Sequence, residues 1–164
     1  MLNFEQLELE KGTISDLTEL IALYRGIYVV KEVHWSEDYP GPEFIKNRIE
    51  EGSLYVFRIN GEIVASCYIG VNEMYKPFDW RLDISNPVNV SAFCVKMQLQ
   101  SLGLGKRIIT LIAEKAKQLG HNGLRFMVSQ DNLRAIHLYE SYGVQRVGKV
   151  SWYGEQYLME YKLD

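Results

Sequence analysis

The chain has 164 residues, 47% hydrophobic and 24% charged, which is the balance of one globular domain with a substantial core and argues against a disordered chain. No apolar run approaches a membrane span, and a net charge of −3 speaks against a broad nucleic-acid surface, which needs clustered Lys and Arg. The first residues, Met1-Leu2-Asn3-Phe4-Glu5, lack a basic region followed by an apolar stretch, so a cytoplasmic location is expected.

In chain order, residues 3–10 read as an edge strand, with Phe4, Leu7 and Leu9 among glutamates. Leu17, Leu20, Ile21, Tyr24, Ile27 and Tyr28 form a helical stripe over 15–30, with Thr13 or Ser15 as the cap. Residues 31–42 have loop chemistry, in which Trp35 and Tyr39 either line a site or pin a surface loop. A second helix over 42–51 ends at Gly52. Two strands, 54–57 and 63–69, flank Asn60-Gly61, a strong hairpin signal. Residues 72–87 are polar and aromatic, and long for a plain connection. An apolar strand to Val95, a helix over 104–119 and a strand over 124–128 make a βαβ unit. A fourth helix, capped by Asp131 or Asn132, runs to Tyr142, and strands over 144–152 and 156–163 close the chain around Gly154. Cys67 and Cys94 fall in predicted strands without metal-ligand spacing to His34, His121 or His137, so both read as reduced core thiols and no metal site is expected.

The most informative stretch is Val95-Lys96-Met97-Gln98-Leu99-Gln100-Ser101-Leu102-Gly103-Leu104-Gly105-Lys106-Arg107, which reads as strand, glycine turn and helix start. Glycines there let several N–H groups at the helix N-terminus converge on one anion. The Walker pattern fails, because Gln100 and Arg107 stand where it needs Gly and Ser or Thr. The dinucleotide fingerprint fails at Ile108, where it needs a third glycine. What remains is Gln-x-x-Gly-x-Gly, from Gln100 to Gly105, and it resembles the acetyl-CoA-binding motif of the GCN5-related N-acetyltransferase (GNAT) family. A second stretch, Asn132-Leu133-Arg134-Ala135-Ile136-His137-Leu138-Tyr139-Glu140-Ser141-Tyr142-Gly143-Val144, is similar to the family's other signature, with Val144 in place of a final aromatic. The order of elements matches as well, so the resemblance covers nearly the whole chain.

The resemblance implies an α/β fold: a single N-acetyltransferase domain over 1–164, with a mixed, mostly antiparallel central sheet splayed at the central strand and flanked by about four helices. It implies acetyl-CoA as co-substrate, its pyrophosphate held by backbone N–H groups of Gln100, Ser101, Leu102, Gly103, Leu104, Gly105 and Lys106. The pantetheine arm would pair with the backbone of Phe93 and Val95, and the Val95 N–H would face the thioester oxygen where charge develops. Tyr139 would protonate the departing sulfur as general acid, and Asn132 would help hold the cofactor. From spacing alone Tyr139 is a core aromatic and Asn132 a helix cap.

The family often carries a glutamate base six residues before the strand valine, where this chain has Asn89. An amide cannot take the proton, which leaves Glu32, Glu37, Glu73, Asp83 or a water chain. The implied activity is direct acetyl transfer to a primary amine of a small molecule such as a polyamine, amino acid or aminoglycoside, without a covalent cysteine intermediate. The alternatives are acetylation of a protein N-terminus or lysine, and a non-catalytic acyl-CoA-binding module. Neither nucleic acid nor membrane is an expected partner, and a homodimer is left open.

Overall fold

The computed structural model describes residues 2–164. Eleven elements follow one another: β1 (Glu8–Lys11), α1 (Leu17–Arg25), α2 (Pro42–Glu51), β2 (Leu54–Ile59), β3 (Glu62–Gly70), β4 (Pro87–Val95), α3 (Leu104–Gln118), β5 (Gly123–Ser129), α4 (Leu133–Tyr142), β6 (Gln145–Ser151) and β7 (Glu155–Lys162). Hydrogen bonding orders the strands β1-β2-β3-β4-β5-β7-β6, so the expected α/β architecture with a mixed sheet and four helices is present. The chain forms two compact units, one built from residues up to Tyr68 with Ala92–Ile108, the other from Ile69–Ser91 with Ile109–Asp164.

In the first unit β1, β2 and β3 form an antiparallel meander. Asn60 and Gly61, with φ of 52° and 79°, turn β2 into β3 in the left-handed conformation that suits the strand twist and that glycine adopts at no steric cost. α1 and α2 lie against each other, and the core gathers Leu20, Tyr24, Ile45, Leu54, Val56 and Ile63. The expected edge strand over 3–10 is shorter than the sequence suggests. Asn3 caps a 3-10 turn at Phe4–Gln6 by accepting from the Glu5 N–H (3.0 Å), and pairing begins only at Glu8. The first helix is also shorter than 15–30: a 3-10 turn at Ile14–Asp16 precedes it, and it closes at Gly26. Trp35 rests its ring 5.8 Å from that of Tyr24, and Tyr39 meets Phe44 edge-on at 5.0 Å, so both anchor the 31–42 segment.

In the second unit β4 and β5 run parallel through the pairs Pro87–Gly123 to Val90–Phe126, the product of the βαβ crossover. β7 then pairs antiparallel with both β5 and β6, which puts it inside the sheet. Ile109, Ile112 and Ala116 of α3 are buried, whereas Leu119, the last residue of the expected helix over 104–119, lies past the helix end and is half exposed. Asn132 caps α4 by accepting from the Ala135 N–H (3.2 Å), and Gly143 ends it in the left-handed conformation. Among the described residues no helix is long and apolar enough to cross a membrane.

Candidate active site

The glycine turn lies where the sequence places it. After β4 a 3-10 turn covers Met97–Leu99, and the backbone then reaches α3 through Ser101 at φ 67° and Gly103 at φ 86°. A residue with a Cβ pays roughly 1–2 kcal/mol to adopt such angles, which is why glycine stands at 103. A Cβ at Gly103 would meet nothing within 4 Å, so the requirement there is conformational, with open space in front of the turn. The Gln100 amide donates to the Val95 carbonyl (3.0 Å) and so ties the turn to the strand end. Helix starts ordinarily favour Asp or Glu, yet the first turn of α3 has no acid and carries Lys106 and Arg107. That inversion suits an anion placed against the helix N-terminus.

Upstream of the turn, β4 carries a kink at Ala92, whose φ of 48° is unusual for any residue with a side chain. Tyr24, fully buried on α1, donates its hydroxyl hydrogen to the Ala92 carbonyl (2.7 Å) and holds the kink. The Lys96 N–H reaches the Val64 carbonyl of β3 (2.9 Å), so by strand alternation the Val95 N–H points away from β3. The ladder between β4 and β5 closes at Val90 and does not extend to Val95. The sequence carried no signal for Tyr24 beyond its place on an apolar stripe.

In the second unit, α4 presents Asn132 at its cap and Tyr139 near its end. The Asn132 oxygen is engaged by the cap, and the Tyr139 ring is buried against Phe126, 4.5 Å between centroids. His137 is exposed on the same helix. Both readings of Asn132 and Tyr139 from the sequence, structural and functional, are compatible with these positions.

A cavity of about 120 Å³ opens in the same unit, lined among others by Tyr75, Lys76, Trp80, Asn86, Asn89 and Arg125. Asn89, nearly buried, accepts the Asn72 N–H on its side-chain oxygen (3.0 Å) and thereby shapes the start of the 72–87 segment. Arg125 donates from Nε to Glu160 (3.1 Å) and lies under the Trp80 ring, 4.8 Å from its centroid. Glu160 has no exposed surface, and its other oxygen accepts the N–H groups of Arg81 (2.7 Å) and Leu82 (2.9 Å). One buried carboxylate therefore fixes both the arginine and the loop that roofs it. The sequence reading missed Arg125 and Glu160; the available signal was an acid directly after the apolar pair Leu158-Met159 in the middle of a predicted strand.

The loop carboxylates fare differently as base candidates. Glu37 makes a two-pronged pair with Arg25 (2.6 and 3.1 Å), and the hydrogen bond from Arg25 holds its carboxyl below the usual range, which makes it a weaker base. Glu73 pairs with Lys76 (2.9 Å). Glu32 and Asp83 are exposed in their loops. Cys67 and Cys94 are buried, and burial pushes both thiols far above their ordinary value, so neither is a thiolate at neutral pH.

Comparison with known proteins agrees with this geometry. The acetyltransferase (GNAT) family model matches residues 17–144, a span that runs through both units. No curated protein matches the chain by sequence. Among solved structures, a GNAT-family acetyltransferase from Streptococcus agalactiae superposes with a TM-score of 0.83 at 18% identity, covering 100% of this chain and 99% of that one. A GNAT-family acetyltransferase from Listeria monocytogenes gives 0.73 at 19% identity over 96% and 95% of the two chains. A Salmonella typhimurium protein solved with its cofactor acetyl-CoA gives 0.67 at 18% identity over 97% and 95%. Such identities speak for the fold, and the family model, matched over most of the sequence, speaks for descent: the chain belongs to the acetyltransferase (GNAT) family.

Proposed function

We propose that the protein transfers an acetyl group from acetyl-CoA to a primary amine of a small molecule in the cytoplasm, by direct attack of the amine on the thioester. The observation that carries this reading is the start of α3, a helix whose first turn has basic residues and no acid, entered through Gly103 at φ 86°. Backbone N–H groups from Gln100 to Lys106 would hold the pyrophosphate, with side-chain identity of little weight there. Phe93 and Val95 would pair with the pantetheine arm, and the Val95 N–H, directed away from β3, would stabilise charge on the thioester oxygen. Asn132 would contact the cofactor from its capping position, and Tyr139 would protonate the leaving thiolate. The protonated, buried cysteines support direct transfer over a route through an acyl-cysteine.

The test is release of CoA from acetyl-CoA in the presence of a panel of amines, followed with a thiol reagent. Turnover above background is expected with at least one small amine. Tyr139→Phe should lower kcat by about 100-fold or more while leaving acetyl-CoA affinity within about twofold, as expected for loss of a proton donor. Tight acetyl-CoA binding with no release above background would overturn the enzyme reading in favour of a binding module.

A further inference from the structure

Tyr24 sits in the last turn of α1 with no exposed surface, and it does something that a phenylalanine of the same shape could not. A hydroxyl taken out of water costs stability unless it finds a partner, and the partner here is the Ala92 carbonyl of β4, 2.7 Å away. In a regular strand a carbonyl lies in the plane of the sheet and bonds to a neighbouring strand. The Ala92 carbonyl accepts from the side chain of a helix residue, and Ala92 itself, at φ 48°, is held in the left-handed region that residues with a Cβ avoid. Burial pushes the Tyr24 hydroxyl well above its ordinary value, so it keeps its proton and donates throughout the neutral range.

The consequence for β4 follows from the planarity of the peptide unit. The Ala92–Phe93 bond is trans, so the Ala92 C=O and the Phe93 N–H lie in one plane and point in opposite directions. Fixing the carbonyl on the Tyr24 hydroxyl therefore aims the Phe93 N–H away from Tyr24. Further along, the Lys96 N–H is anchored on the Val64 carbonyl (2.9 Å), so the segment from Phe93 to Val95 is pinned at both ends, by Tyr24 before it and by β3 after it. The strain of a left-handed alanine and the worth of one buried hydrogen bond are of comparable size, so the hydroxyl decides whether the kink persists. We infer that Tyr24 is a positioning residue for the arm of acetyl-CoA: by locking the Ala92–Phe93 peptide, its hydroxyl sets the direction in which the backbone from Phe93 to Val95 meets the pantetheine. This rests on the acetyl-CoA reading above and names the residue that prepares the strand for the arm. Sealed in the core, Tyr24 acts through the peptide and not on the ligand.

The test compares two ligands by calorimetry: acetyl-CoA, and adenosine 3′-phosphate 5′-diphosphate, which has the pyrophosphate of CoA but no pantetheine arm. Each is titrated into wild type, Tyr24→Phe, which keeps the ring beside Trp35, and the double variant Tyr24→Phe/Ala92→Gly. Tyr24→Phe should weaken acetyl-CoA binding about tenfold, as for loss of one well-placed hydrogen bond, and leave the armless nucleotide within about twofold. The loss should be the same between about pH 6 and 8, because the hydroxyl is protonated throughout. Glycine adopts the positive φ without strain, so adding Ala92→Gly should recover most of the lost affinity. Turnover of acetyl-CoA with amines, run beside the titrations, separates this inference from the reading beneath it. Equal acetyl-CoA affinity in wild type and Tyr24→Phe would overturn the positioning role while leaving acetyl transfer intact. Equal losses for both ligands, or a loss that Ala92→Gly does not relieve, would assign the effect to general packing and overturn it as well. An arm-selective loss that Ala92→Gly relieves, with no amine turned over, would support the positioning role and overturn the transferase reading. A wild type that binds neither ligand would overturn both.

Discussion

The two most buried of the acid-paired arginines lie one in each unit, and they are clasped differently. Arg58 on β2 meets two carboxylates, Glu10 through Nε and Asp16 through Nη2, both at 2.5 Å. Arg125 on β5 meets one, Glu160 through Nε at 3.1 Å, with an indole ring rather than a second acid against its plane. Both side chains are largely buried, 19% and 14% exposed. Burial of an ion pair is therefore a poor guide to function, since both arginines have it. The informative quantity is the balance of donors and acceptors: each of the three Arg58 nitrogens has a partner in its own fold, whereas Arg125 engages only Nε among the described residues and retains its two terminal nitrogens at the edge of a cavity.

The contrast can be broken by removing the acids. Glu160→Ala should have the largest effect, a loss of about 3–5 kcal/mol in urea unfolding, because it strands a mostly buried guanidinium and leaves the Arg81 and Leu82 N–H groups without an acceptor. Glu160→Gln should cost less, as the amide oxygen can still accept from those two groups. A Glu160→Ala penalty no greater than that of removing Asp16 would show that the single acid is not the keystone described above.

Asp16→Asn comes next, at about 1–2 kcal/mol near neutral pH, since Arg58 keeps Glu10 as a partner. Burial pushes the Asp16 carboxyl up, but the hydrogen bonds from Arg58 and Thr13 outweigh it and hold the group below its ordinary value. A depressed folded-state value means that the charge contributes fully above the unfolded carboxylate value, near about pH 4, and that its contribution is lost as pH falls through the lower folded value. The difference in unfolding free energy between wild type and Asp16→Asn should be flat from pH 7 to about 5 and close under stronger acid. A gap that persists after full protonation would assign the cost to packing instead of charge.

How much of this was legible beforehand follows from how far apart the parts lie. The Asn60-Gly61 hairpin, the Gly52 helix end, the Asn132 cap and the turn from Gln100 to Lys106 were readable because each is local, its geometry dictated by residues within one turn of chain. The boundaries of the first strand and first helix were not, because side-chain caps at Asn3 and Thr13 convert their starts into 3-10 turns. The cavity was invisible for a different reason. Asn89 faces Arg125 only through the parallel register made by the crossover, and Arg125 meets Glu160 only through the pairing of β5 with β7. Neither relation has a fixed sequence spacing, so no motif records it. Asn89 itself was noticed for what it lacks as a base, while the structure shows an amide with one end anchored and a donor to offer.

The smallest expected effect sharpens the comparison most directly. Glu10 lies on the edge strand β1, diagonal to Arg58 across the β1–β2 ladder, and its side chain is 51% exposed. Water screens such a pair, so Glu10→Gln should cost only about 0.2–1 kcal/mol. At about 1 M salt, where the screening length falls to about 3 Å, that cost should vanish, while the Asp16→Asn cost, from a side chain only 9% exposed, should largely persist. If the two acids responded to salt alike, Arg58 would be held by two equivalent surface contacts, and its distinction from the singly clasped Arg125 would reduce to exposure alone.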